Sequence, residues 1–112
     1  MKSNILFLIP ARRGSKGLVD KNIKILKGKP LIEYSIDFAL KIKRPKDKIC
    51  VSSDDNRIEK IILKYKDVDF LRRPKSLSTD YTSMEEVIMH SIKYFEYKKH
   101  FFKSIVLLQP TS

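Results

Sequence analysis

Five consecutive apolar residues, Ile5-Leu6-Phe7-Leu8-Ile9, run without a single polar interruption. A strand with one wet face would alternate, so an unbroken run of this length fits a strand covered on both faces. Later runs have the same character, and stretches of helical period lie between them. Asp47 to Ser53, Val68 to Leu71 and Ser104 to Leu108 read as further strands. Between them, Pro30 to Lys43 places Ile32, Ile36, Ala39 and Leu40 on one stripe, and Ile58, Ile61, Ile62 and Tyr65 follow the i, i+3, i+4, i+7 spacing behind a cap at Asp54 or Asp55. The third helix is the best supported. Met84, Val87, Ile88, Ser91, Ile92 and Phe95 share a face, and either Thr82 with Glu85 or Ser83 with Glu86 supplies a capping box. Strands alternating with helices predict an α/β fold with a parallel sheet, in a single domain of 112 residues.

In such a sheet the ligand crevice lies beyond the carboxyl ends of the strands, near the point where the winding reverses. Four loops reach that edge: Ala11 to Asn22, Ser52 to Asp55, Arg72 to Asp80, and Gln109 to Ser112. The first, within Ile9-Pro-Ala-Arg-Arg-Gly-Ser-Lys-Gly-Leu-Val-Asp-Lys-Asn22, joins positive charge to glycine. It matches neither G-x-x-x-x-G-K-[ST] nor G-x-G-x-x-G. Gly14 and Gly17 still let backbone N–H groups approach an anion, and Arg12, Lys16 and Lys21 can neutralise a triphosphate. A flexible basic surface loop is the plainer reading of the same residues.

The net charge of +11, from 24 basic and 13 acidic residues, suits a polyanionic partner without choosing among nucleic acid, an acidic membrane surface and a nucleotide. The clusters at Lys41 to Lys48 and Lys98 to Lys103 read as solvated faces. No segment approaches the roughly eighteen apolar residues of a membrane span, and no leader is evident, so a soluble cytoplasmic protein is expected. Cys50, in an apolar run, reads as a small buried hydrophobe. His90 and His100 lack the company of a catalytic or zinc site and read as structural or surface residues.

The A-R-x-G-S-K-G and K-N of Ala11 to Asn22, the V-S-S-D of Val51 to Asp54, the R-P-x-x-L-x-x-D of Arg73 to Asp80 and the final L-L-Q-P-T-S resemble the acylneuraminate cytidylyltransferases, also called CMP-sialic acid synthetases. The related Kdo cytidylyltransferases are similar in fold but lack the S-K-G and K-N pairing. The resemblance implies a Rossmann-like three-layer sandwich of the nucleotide-diphospho-sugar transferase type, truncated here after the fourth strand. It implies a reaction of CTP with a nonulosonic, sialic-type acid to give the CMP-sugar and pyrophosphate. Arg12 and Lys21 would carry catalysis, with Arg12, Ser15 and Lys21 on the triphosphate. Lys16 would also touch CTP, Asn22 and Arg73 would contact the cytidine, and Gln109 the sugar. Magnesium would be held by carboxylates of a C-terminal half not contained in this chain, and the family is homodimeric.

Plainer roles stand beside these. Asn22 could only form a turn, Arg73 could brace its loop by an ion pair with Asp80, Gln109 could only end a strand, and Asp54 could cap a helix rather than bind metal. A fourth strand with an unpaired edge and uncovered apolar surface suggests self-association, which sedimentation would detect. A different class of function also fits the composition. A non-catalytic basic module for nucleotide or nucleic acid would show steep salt dependence and tolerate loss of Arg12 or Asn22.

Overall fold

A computed structural model describes residues 4–13 and 21–109, the side chain of Lys21 excepted. The elements run β1 (Ile5–Pro10), a 3-10 turn (Lys21–Ile23), β2 (Ile25–Leu26), β3 (Lys29–Pro30), α1 (Leu31–Ile42), β4 (Lys48–Ser53) and α2 (Asn56–Ile62). They continue through β5 (Val68–Arg72), a second 3-10 turn (Lys75–Leu77), α3 (Met84–Tyr97) and β6 (Ser104–Leu107). Four strands form one parallel sheet in the order β5-β4-β1-β6, with Leu6 opposite Lys48 and Ile5 opposite Ser104 fixing the register on either side of β1.

The unbroken apolar run now has its explanation. Phe7 and Ile9 pack on one side with Ile32, Ile36, Ala39, Ile58 and Ile62, so α1 and α2 cover that face. Leu6 and Leu8 pack on the other with Cys50, Leu71 and Phe95, beneath α3. Helices on both faces make the three-layer sandwich that the sequence predicts. Cys50 is fully buried, and burial, with the nearby Asp69 charge, pushes its thiol up and away from the reactive thiolate.

Local chemistry sets the boundaries. Asp55, not Asp54, caps α2: its carboxylate accepts the Arg57 backbone N–H at 2.9 Å. Asp54 instead accepts the backbone N–H of Arg13 at 2.8 Å, which ties the first loop to the end of β4. The capping box of α3 is Ser83 with Glu86, since the Thr82 hydroxyl is taken by the Thr79 N–H at 3.1 Å. Helix α2 stops before Tyr65, which still packs on the core and hydrogen-bonds Glu33 of α1. The β2–β3 hairpin is absent from the sequence reading, because two-residue strands carry no periodicity. Its turn places Lys27 and Gly28 at φ 50° and 92°, the left-handed pair of a tight hairpin.

Chain order and sheet order together put the reversal of winding at β1, with β4 on one side and β6 on the other. Among the described residues β6 is unpaired on its outer side. Beside it Tyr34, Phe38, Leu107 and Leu108 line a shallow groove of about 370 Å³.

Candidate functional site

The reversal point is occupied by a cavity of about 250 Å³. Pro10 and Arg12 reach it from the end of β1, Asn22 from the following turn, Arg73 and Asp80 from the loop after β5, and Gln109 from the end of β6. Four chain segments far apart in sequence thus meet at one spot, and four of the residues expected to bind ligand line it. Lys21 opens the 3-10 turn that carries Asn22, and its side chain lies outside the described residues, as do Ser15, Lys16, Gly14, Gly17 and residues 110–112.

Each described residue is held by identifiable partners. Asn22 is buried, and its amide donates to the Arg12 carbonyl at 3.2 Å, so it does close a turn while lining the cavity. Arg12 pairs with Asp80 at 3.0 Å. The ion pair that bridges this loop is therefore Arg12–Asp80, in place of the Arg73–Asp80 pair that was the plainer alternative role for Arg73. Asp80 projects from a tight polar turn in which the Thr79 and Thr82 hydroxyls lie 3.0 Å apart.

Arg73 is 5% exposed and has no carboxylate partner among the described residues. Its guanidinium donates to the Ser52 hydroxyl at 3.1 Å, the Ser52 carbonyl at 3.0 Å and the Leu77 carbonyl at 3.4 Å, all neutral oxygens. Burial pushes its pKa below the usual arginine value; Asp54 opposes this and Arg12 reinforces it. The group stays charged at neutral pH regardless. An interior cation held only by neutral acceptors leaves its charge available for an anionic or oxygen-rich ligand. Two cations, Arg12 and Arg73, and two amides, Asn22 and Gln109, can thus grip phosphate or carbonyl oxygens. Nothing in this set is placed for nucleophilic catalysis.

Among the described residues there is no group of three or more His, Cys, Asp or Glu that could hold a metal ion. Asp80, the carboxylate that lines the cavity, is turned to Arg12. The described donor set does not fit a resident divalent cation.

Some of the lining was not legible. Met84 and Val87, at the start of α3, close one wall with Thr79 and Thr82, and Ser52 lies beneath Arg73. The signal for Ser52 was available: two serines, both buried, follow the apolar run Ile49-Cys50-Val51 at the end of the strand.

His90 lies on α3 with Nδ1 buried and unpartnered among the described residues. Burial, and then the charge of Arg73, holds its pKa below the ordinary value. A base depressed in this way binds fewer protons folded than unfolded, so stability present above the unfolded pKa is lost as pH falls towards the folded one. The unfolding midpoint is expected to drop as pH falls from about 6.5, and His90→Gln to flatten that drop; equal slopes for both proteins would refute it. The carboxyls of Asp47 and Asp55 are pushed up by burial but held lower still by hydrogen bonds from Arg44 and Ile5 and from Arg57. Their windows therefore lie at more acid pH.

Residues 6–102 match the cytidylyltransferase family model, and the chain belongs to that family. It is 42% identical over its whole length to an N-acylneuraminate cytidylyltransferase of Escherichia coli, of which it covers 25%. It is 38% identical to a pseudaminic acid cytidylyltransferase of Campylobacter jejuni and 39% identical to a CMP-N,N'-diacetyllegionaminic acid synthase of Legionella pneumophila. In both comparisons it covers 46% of the relative from 96% of its own length. The chain thus spans less than half the length of these relatives. In fold it is similar to CMP:2-keto-3-deoxy-manno-octonic acid synthetase complexed with CTP, with a TM-score of 0.69 and 23% identity over 96% of this chain and 40% of that one. No helix among the described residues is long and apolar enough to cross a membrane.

Proposed function

We propose that this chain is the CTP-binding part of a cytidylyltransferase that activates a nonulosonic acid. In the reaction the anomeric hydroxyl oxygen of the sugar bonds to the α-phosphorus of CTP, its proton passes to solvent, the bond from that phosphorus to the bridging oxygen breaks, and pyrophosphate leaves with that electron pair. Such chemistry asks the protein mainly to position reactants and to stabilise charge on phosphoryl oxygens. Arg12 and Lys21 take the triphosphate with Ser15 and Lys16, Asn22 and Arg73 take the cytidine, and Gln109 takes the sugar. The observation that carries this reading is the convergence of Arg12, Asn22, Arg73 and Gln109 on one cavity at the reversal point of the sheet. Magnesium would enter with the nucleotide, since among the described residues no carboxylate cluster would hold it.

Calorimetric titration with magnesium-CTP, magnesium-ATP and a short single-stranded RNA tests it. The expected result is selective binding of CTP, weakened roughly ten- to hundredfold in Arg12→Ala, the effect of losing one charge-assisted contact of about 1.5–3 kcal/mol. Salt-sensitive RNA binding with no CTP binding would overturn it in favour of a basic binding module.

A further inference from the structure

The end of β4 is buried yet polar. Ser52 and Ser53 are both fully buried, and a hydroxyl in such a place is retained only where it is bonded. Ser52 meets that need through one residue of the neighbouring loop. Its hydroxyl accepts Arg73 Nε–H and its carbonyl accepts an Nη2–H, while the Ser53 carbonyl accepts the Arg73 backbone N–H at 2.8 Å. The Ser52 carbonyl also accepts the Ala11 N–H at 2.8 Å, so the same residue anchors the start of the first loop. The main chain and side chain of Arg73 are thereby fixed to two successive residues of a central strand.

A guanidinium has five N–H groups in a rigid fork. Among the described residues three are engaged, by the Ser52 hydroxyl, the Ser52 carbonyl and the Leu77 carbonyl, which leaves two for a ligand in the cavity that Arg73 lines. We propose that Ser52 is a positioning residue: its hydroxyl and carbonyl hold the Arg73 fork in one orientation, so that the two remaining N–H groups meet oxygens of the cytidine nucleotide. An arginine free to rotate loses that freedom on binding; one already fixed by Ser52 has lost it during folding. The hydroxyl is the half of this anchor that a substitution can remove: it holds the fork at Nε, whereas the carbonyl stays in place whatever side chain stands at this position.

This inference rests on the nucleotide-binding reading, and the experiment separates the two. Ser52→Ala, Ser52→Cys and Ser52→Thr are compared with the wild type by CTP calorimetry, thermal unfolding and the NMR signal of the Arg73 Nε–H. The expected result for folded Ala and Cys variants is CTP affinity lowered about tenfold, the effect of one hydrogen bond to a charged group, with faster solvent exchange of the Nε–H. Ser52→Thr, which keeps the hydroxyl, restores both. Unchanged CTP affinity in a folded Ala or Cys variant overturns the inference. Unchanged Nε–H exchange overturns it too, and that readout needs no nucleotide. Absence of CTP binding by the wild type would instead sink the reading on which the inference stands.

Discussion

Replacing Phe95 by alanine is expected to lower stability by about 3–5 kcal/mol, the usual range for emptying a core aromatic site, with a fall in unfolding midpoint of about 15 °C for a domain of this size. Phe95 is 1% exposed at the centre of the α3 side of the core, against Leu6, Leu8, Cys50 and Leu71. Its ring meets those of Tyr94, Phe102 and His100 edge-on, with centroids 5.1, 5.2 and 6.2 Å apart. It is the main buried side chain by which the later turns of α3 hold the sheet, so neighbouring residues can collapse into the space only by moving the helix. Phe95→Leu keeps most of the volume and should cost less than half as much. Urea unfolding of the three proteins at equal m-value decides the matter; a cost below about 1 kcal/mol for the alanine variant would mean that α3 is held elsewhere. The loss should be one of stability alone, because the site is lined by the first turns of the helix and not by Phe95.

That helix also shows how much of the fold was legible. Met84 to Phe95 declares its buried face by spacing alone, and the β1 run declares two covered faces by its lack of alternation. Both statements rest on side-chain period, and period survives folding intact. The hairpin after Asn22 was not legible, since Lys27 takes a positive φ that asparagine or glycine would have advertised. The site divides in the same way. Arg12, Asn22, Arg73 and Gln109 meet at one cavity because topology brings the carboxyl ends of parallel strands to one edge. The partners of these residues were not legible: an ion pair with Asp80 was only the plainer alternative for Arg73, and β4 supplies Ser52 to that arginine and leaves Asp80 to Arg12. Which loop residue meets which strand end depends on register across the sheet, and register is a property of the assembled strands.

Arg73→Met, made together with Ser52→Ala so that no buried hydroxyl is left unpaired, should show function and stability pulling in opposite directions. If Arg73 were a brace, removing its three hydrogen bonds would destabilise the protein. Its hydrogen-bond acceptors, however, are neutral, it is 5% exposed, and the more distant charge of Asp54 only partly opposes the desolvation of its own. Replacing a buried, unpaired cation by an apolar side chain of similar length removes that penalty, and such replacements are often neutral or stabilising. The Ser52 carbonyl keeps its bond from the Ala11 N–H, and the Ser52 hydroxyl, which would lose its Arg73 partner, is removed together with it by the Ser52→Ala change. The expected outcome is an unfolding midpoint unchanged or raised, together with CTP affinity lowered roughly ten- to hundredfold, as fits the loss of charge-assisted hydrogen bonds of about 1.5–3 kcal/mol. Arg73→Lys should recover little of that affinity, because an ammonium cannot reproduce the planar fork that Ser52 holds. A variant that binds CTP normally but unfolds earlier would show Arg73 to be scaffold. The opposite pattern would show that the chain keeps a cation in its interior, at a cost to its own stability, for the ligand to complete.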